Sequence, residues 1–345
     1  MTSSSQSTLE PQQEESARVH GIMTAYLQSK AVFVAVEFGL FDALEKGGRT
    51  IESLAAELGI ERRPARALLF ALQGLRLVFR DGEKYYNSDE AGRFLVTGKP
   101  EYMGSFAEHQ DRHFSNFAKL SKAIRENTSL TRRVLKDGYS NQGAATNEGR
   151  AGTDRFIQAA RVSSRLQADS LATMAALSGV GMLLDLGCGS GDYSVAIARK
   201  NPDIRIIAMD YPAVCELASR NVAEAGVGDI VEVRPNDILR DPWPECDAIM
   251  LSHVLDGYGP ERAAKLIKKV YSALPTGGKL LVHAHMPSLA RGTFPYLFGL
   301  ILLGNTEEGE VRDVDDIVGW VREAGFRDVD TCTVSLLSGL LTAHK

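Results

Sequence analysis

The chain has 345 residues, 44% of them apolar, and a net charge of −5, so it can build two cored domains but has no basic excess for a phosphate backbone. Four cysteines (Cys188, Cys215, Cys246 and Cys332) stand apart without metal-ligand spacing, which points to a reducing, cytoplasmic setting rather than a disulfide scaffold. No apolar run reaches membrane-spanning length, and the polar start carries no hydrophobic signal core.

Residues 1–15, rich in Ser, Gln and Glu, read as a disordered tail. Residues 16–100 form a first domain. Residues 25–44 are a strongly apolar helical stretch broken at Gly39. Thr50 can cap a short helix ending at Gly59, and a second helix covers 63–77 with Pro64 tolerated in its first turn. Residues 77–80, a turn at Asp81-Gly82, and Lys84-Tyr85-Tyr86-Asn87 read as a hairpin. Helix, turn, helix and hairpin make a winged helix, so DNA binding has to be weighed. Residues 1–100 hold 12 Lys and Arg against 13 Asp and Glu, and Arg62, Arg63 and Arg66 read as a solvated helix start, so no nucleic-acid partner is assigned. Residues 101–178 read as a helical linker that contributes to the acceptor pocket.

Residues 179–345 form the second domain, whose leading feature is Leu183-Leu184-Asp185-Leu186-Gly187-Cys188-Gly189-Ser190-Gly191. An apolar run breaks into alternating glycines and resumes at helical spacing through Tyr193, Val195, Ile197 and Ala198: strand, tight turn, helix. Without Cβ atoms at 187, 189 and 191 the backbone turns sharply and lets a ligand approach. Asp210, after a second apolar run at 204–209, lies roughly 20 positions on, the place of an acid that holds ribose hydroxyls. The spacing is G-x-G-x-G, not the G-x-G-x-x-G of a dinucleotide site, and no Lys-Ser/Thr ending marks a phosphate loop. An acid in the turn suits a cationic ligand better than a polyphosphate. Further strands at 231–234, 247–252 and 278–283, with a helix over 262–274, give a doubly wound α/β sheet.

The Asp185-to-Gly191 run resembles motif I of the class I S-adenosylmethionine (SAM) dependent methyltransferases. From about residue 19 to the end, the chain is similar to the small-molecule O-methyltransferases of the acetylserotonin and plant phenolic type. Asp210-Tyr211-Pro212 and Ala324-Gly325-Phe326 are further landmarks. The resemblance implies a Rossmann-like SAM domain behind a winged-helix domain that forms a homodimer. It implies SAM held by Asp185, Gly187, Gly189, Gly191, Asp210, Tyr211, Asp237, Ile238 and Ser252, with Asp237 on the adenine amino group and Ile238 on the purine face.

The acceptor side departs from that family. Its catalytic His sits in a Leu-His-Asp-Trp run, where this chain has Leu255-Asp256-Gly257-Tyr258, and its two supporting acids fall at Ala284 and Val311. An ordinary carboxylate is a weak base for a phenol. The family's Phe-x-x-Ala-Met pattern reads Phe156-Ile157-Gln158-Ala159-Ala160-Arg161, which puts a guanidinium where an apolar acceptor packs. A guanidinium grips a carboxylate in two parallel hydrogen bonds. The preferred reading is therefore methylation at the β-carbon of a carboxylate-bearing acceptor such as an α-keto acid. Asp256 or His253 would be the base and Arg161 the orienting group. An alternative partner for Arg161 is Asp154 or Asp169. The acids Glu307, Glu308, Glu310, Asp313, Asp315 and Asp316 would meet a basic substrate tail, or else form a solvated loop. His253, His283 and His285 with Asp256 raise the possibility of a metal, although no metal site is assigned. Two alternatives stay open: O- or N-methylation of a natural-product acceptor by proximity, and a SAM-retaining hydroxylase or cyclase.

Overall fold

The computed structural model describes residues 11–130 and 147–345, and the chain divides into two compact units, Met1–Asp111 and Arg112–Lys345. The expected tail lies outside the described residues as far as residue 10. Residues 11–15 correct that expectation, because they already belong to helix α1 (Pro11–Glu37). A proline starts the helix with its missing N–H where none is needed, and Glu14 lies in the first turn toward the positive end of the dipole.

In the first unit Gly39, at φ 65°, separates α1 from α2 (Leu40–Glu45). The Thr50 hydroxyl accepts from Ser53 N at 3.2 Å to cap α3 (Ile51–Leu58), and left-handed Gly59 closes it. Helix α4 (Arg62–Gly74) stops earlier than the sequence suggests because Arg76 takes φ 59°. Strands β1 (Val78–Asp81) and β2 (Lys84–Asn87) pair antiparallel around Gly82, and α5 (Asp89–Phe94) follows. The winged-helix arrangement closes over Leu40, Phe41, Leu54, Leu69, Leu72 and Tyr85. Helix α6 (Gly104–Phe117) runs across the division between the units, inside what the sequence reads as linker.

The second unit continues through α7 (Leu120–Glu126), α8 (Asn147–Met174), β3 (Met182–Leu186), α9 (Asp192–Lys200), β4 (Arg205–Asp210), α10 (Pro212–Glu224) and β5 (Val231–Pro235). After it come β6 (Ala248–Ser252), α11 (Pro260–Ala273), β7 (Lys279–Ala284), α12 (Phe294–Asn305), α13 (Val314–Ala324), β8 (Arg327–Thr333) and β9 (Gly339–His344). Seven strands form one sheet in the order β5-β4-β3-β6-β7-β9-β8. Strands β3 to β7 are parallel, and β9 enters antiparallel between β7 and β8.

Successive strand residues face opposite helical layers, as a pleated strand requires. Leu183 packs with Ile197, Ile206 and Leu171 on one face, and Leu184 with Ile207, Leu266, Val270 and Ile317 on the other. Both faces are covered, so β3 and β6 appear in sequence as continuous apolar runs. The strand order reverses at β3, flanked by β4 and β6. In an open parallel sheet the crevice at that reversal, beyond the carboxyl ends, is where ligands sit.

Candidate active site

All three glycines after β3 take left-handed backbone angles, φ 76° at Gly187, 56° at Gly189 and 78° at Gly191, which only glycine adopts without strain. A Cβ on Gly187 would stand 2.7 Å from Val254 Cγ2, whereas one on Gly189 would meet nothing within 4 Å. The first glycine is a packing necessity. The second faces open space, where a ligand can reach the backbone.

Asp210 organises this turn. Its two oxygens accept from Gly189 N at 2.9 Å and Tyr211 N at 2.7 Å, leaving further lone pairs for hydroxyl donors. Asp185, fully buried at the end of β3, accepts from Ser194 Oγ at 2.6 Å through one oxygen, and its Oδ1 has no partner. An unpartnered buried carboxylate oxygen fits a positively charged group. Burial pushes Asp185 up to about 7, with Ser194 partly opposing and Asp210 adding to it, and pushes Asp210 up to about 6.

That has a consequence for the empty protein. Unfolded carboxylates titrate near ~4. Between that value and about 7 the folded chain keeps a proton on Asp185 that the unfolded chain has released, so stability falls as pH rises and levels off above the folded value. Thermal melts should show a lower Tm at pH ~8 than at pH ~5, with a flatter profile in Asp185→Asn. Parallel profiles for the two proteins would refute the assignment.

The remaining residues assigned to the cofactor are placed as follows. Asp237 caps its own turn, accepting from Leu239 N at 3.0 Å. Ile238 is buried among Leu184, Ile207 and Met209, and Tyr211 lies against Ile157, Val214 and Leu217. The buried Ser252 has its Oγ 3.0 Å from His283 Nδ1.

The acceptor side begins where β6 ends. His253 takes φ 54°, a strained angle for a residue with a Cβ, and turns the chain into the short helical turn Leu255–Gly257. The Asp256 side chain is 3% exposed, neither oxygen has a hydrogen-bond partner, and Oδ2 lies 3.8 Å from His253 Nδ1. The His253 side chain is 24% exposed, so the imidazole is the accessible member of the pair. Its ring centroid is 4.6 Å from that of His283 and 4.4 Å from that of His285.

Three aromatics that the sequence reading passed over complete the wall. Tyr193 lies edge-on to His283 at 5.1 Å, and Phe298 and Phe294 approach His285 at 4.4 and 5.6 Å. Tyr193 had appeared only as one apolar position on a helix. Phe294 and Phe298, spaced i and i+4, are a sign of a shared helix face that was available and unused.

The loop at 306–312 holds the Asp256 turn. Glu310 N donates to Asp256 O at 3.0 Å, and a Cβ on Gly309 would stand 2.9 Å from that same oxygen. Glu308 accepts from Gly259 N and pairs with Arg262 at 3.1 Å; Glu310 pairs with the buried Arg312; Asp313 and Asp316 cap α13. These acids build the loop.

The Nε of Arg161 lies 3.4 Å from Asp192 Oδ1, an oxygen that Arg165 Nε also approaches at 3.4 Å, while the side chain of Asp154 lies outside the described residues. Asp192 opens α9, where a carboxylate is favoured by the helix dipole, and two guanidinium groups converge on it from α8. His283 has both ring nitrogens engaged, by Ser252 and Ser338, which removes it as a metal ligand. Among the described residues no group of three His, Cys, Asp or Glu is arranged to hold a metal ion, and no helix is long and apolar enough to cross a membrane.

Comparison with known proteins agrees with this geometry. Residues 117–327 match the family model of the O-methyltransferase domain and residues 21–98 that of the O-methyltransferase dimerisation domain. The chain is 31% identical to the N,N-dimethyltransferase OxyT of Streptomyces rimosus over 89% of each chain. It is 28% identical to the L-tyrosine C(3)-methyltransferase of Streptomyces lavendulae, over 73% of this chain and 70% of that one. The crystal structure of human N-acetylserotonin methyltransferase in complex with SAM shares the fold at a TM-score of 0.85 and 23% identity, covering 98% of this chain and 99% of that one. Glycine turn, paired acids, strand order and both matched domains lead to one conclusion: the chain belongs to the SAM-dependent O-methyltransferase family.

Proposed function

We propose that the protein methylates a small planar natural-product acceptor bearing an acidic hydroxyl or enol, with His253 as the base and Asp256 as the carboxylate behind it. The observation that carries this reading is the buried Asp256 carboxylate, without a hydrogen-bond partner and 3.8 Å from His253 Nδ1. A carboxylate there favours the imidazolium that forms when His253 takes the acceptor proton. A neutral phenol or enol is a poor nucleophile, and a positioned base supplies about 10²- to 10⁴-fold. The lining of Tyr193, Phe294 and Phe298 suits a flat ring.

The residues of the glycine turn fit SAM. Asp185 would receive its charged portion, Asp210 the ribose hydroxyls, and the open side of Gly189 the close approach, with Tyr211, Asp237 and Ile238 around the base and Ser252 beneath. When bound, SAM supplies an electrophilic methyl group on sulfur. The protein's part is to hold the acceptor in line, keep water out and remove one proton.

A second copy completes the reading. Val19, Ile22, Met23, Tyr26 and Leu27 recur at i, i+3, i+4, i+7 and i+8 of α1, and all are exposed. Such a stripe supports a homodimer built through the matched dimerisation segment.

The C-methylation reading is favoured by one observation: the Arg161 guanidinium, its side chain 15% exposed, lies 3.4 Å from Asp192 at the start of α9, next to Tyr193 of the same wall. A carboxylate-bearing keto acid would lose its β-proton to His253, and the enolate carbon would form the new bond to methyl. Methyl-labelled SAM with a panel of phenols, enols and keto acids tests both, the label's position being read by NMR. Label on oxygen supports the first reading and label on carbon the second. For the second, Arg161→Ala should raise KM for keto acids about tenfold or more; an unchanged KM removes the carboxylate from the proposal.

A further inference from the structure

Three imidazoles meet at the carboxyl ends of β6 and β7, yet the proposed chemistry uses one. The hydrogen bonds around the other two fix where their protons lie. Ser338 donates its single hydroxyl proton to Gln167 Oε1, and Gln167 Nε2 donates to Ser163 O at 3.0 Å, which sets the orientation of the amide. Ser335 Oγ, 3.2 Å from Ser338 Oγ, donates to the same Gln167 oxygen, and with its own proton on Gln167, Ser338 Oγ accepts from His283 Nε2 at 2.8 Å. His283 Nδ1 then carries the lone pair and accepts from Ser252 Oγ at 3.0 Å. His283 is neutral and closed on both sides.

His285 is closed on one side only. Its Nδ1 lies 2.6 Å from the carbonyl oxygen of Leu337, which can only accept, so Nδ1 bears the hydrogen. Burial, with His253 adding to it and Asp256 partly opposing, pushes His285 down to about 4, so it holds one proton at neutral pH. Nε2 is therefore a bare lone pair on a residue that is 6% exposed, between Phe298 and His253 with ring centroids 4.4 Å from each. An acceptor atom on a residue so little exposed gains when something donates to it.

We infer that His285 Nε2 accepts a hydrogen bond from a second donor on the substrate, adjacent to the hydroxyl that His253 deprotonates. The acceptor class is then a ring with two neighbouring hydroxyl groups, and His285 is a specificity-determining residue. This rests on the reading of His253 as the base. The two imidazoles lie side by side, ring centroids 4.4 Å apart, so groups that meet both are neighbours on one ring; the Tyr193 hydroxyl is a further polar group of this wall.

The test compares 2,3-dihydroxynaphthalene with 2-naphthol and 3-methoxy-2-naphthol, binding to the dimer saturated with S-adenosylhomocysteine, so that no turnover intervenes. The wild type should bind the diol about ten- to a hundredfold more tightly than either single-donor analogue, the range set by leaving one buried partner unpaired. In His285→Phe, which keeps the aromatic ring and removes the lone pair, the three affinities should converge, with S-adenosylhomocysteine binding as the check on folding. Equal wild-type affinities, no binding of the diol, or a preference that survives in His285→Phe would each overturn the inference. The wild-type comparison needs no variant and stands if the variant fails to fold. Failure of the His253 reading shows elsewhere, as full diol turnover by His253→Ala.

Discussion

His253→Ala is expected to lower kcat by about 10²- to 10⁴-fold while leaving SAM affinity within a factor of ~3. The expectation rests on the lack of a substitute. His283 has both nitrogens engaged, His285 is held down to about 4, and Asp256 is buried behind the imidazole it would have to replace. Asp256→Asn keeps the shape and removes the charge that steadies the protonated imidazole in the transition state, so it should cost less, about 10- to 100-fold. Single-turnover rates would measure both. An acceptor ionised before it binds should recover most of the His253→Ala loss at high pH. A His253→Ala protein that keeps more than a tenth of the wild-type rate on a neutral phenol would sink the assignment.

Gly187→Ala should damage fold and site together. The position needs φ 76°, which costs a residue with a Cβ about 1–2 kcal/mol, and the new carbon would stand 2.7 Å from Val254 Cγ2. Overpacking of that kind adds about 1–3 kcal/mol. Val254 follows His253, so relief of the clash moves the base as well as the turn. Denaturant unfolding should show a loss of about 2–5 kcal/mol, with SAM affinity and turnover falling together. Gly189→Ala is the informative control: φ is 56° but the added carbon meets nothing within 4 Å. It should lose only the backbone share of stability yet still weaken SAM binding, because its methyl fills the space left for the ligand. Equal stability losses at the two positions would mean the Val254 contact is not what constrains residue 187.

The cofactor half of the site is legible in the sequence because it is local. Asp185 and the three glycines lie within seven positions, and each needs its residue type for a reason that a linear reading can state. The sheet is legible for a related reason: strands buried on both faces leave unbroken apolar runs. The acceptor half is assembled from distant pieces. His285 meets Leu337 and His283 meets Ser338, contacts set by β9 entering between β7 and β8, and nothing in the local pattern of residues 335–344 announces an interior strand. Arg161 shows the limit most plainly. Its position on a helix face was readable, but its partner Asp192 is 31 residues away and becomes a neighbour only when α8 packs on α9. The acidic run at 307–316 leaves two readings open in sequence, a substrate tail or a loop and helix start, for the opposite reason. Its charges were visible, while the backbone amides and arginines that consume them were not.

The entry of β9 into the sheet divides the site between two regions of unequal resilience. The residues proposed for the cofactor lie at the ends of β3 and β4, in the parallel part of the sheet, while the tautomers of His283 and His285 are set by Leu337 and Ser338 at the threshold of β9. Beyond β9 lies only β8, whose residues are mostly solvent-facing. Native proteins open first where few buried contacts resist, in cooperative pieces smaller than the whole. A transient release of β8 and β9 would free the Leu337 carbonyl and the Ser338 hydroxyl, let both imidazoles exchange their protons, and leave the glycine turn intact. On the proposed reading of the site, donor binding and acceptor choice rest on different parts of one sheet and can be lost separately.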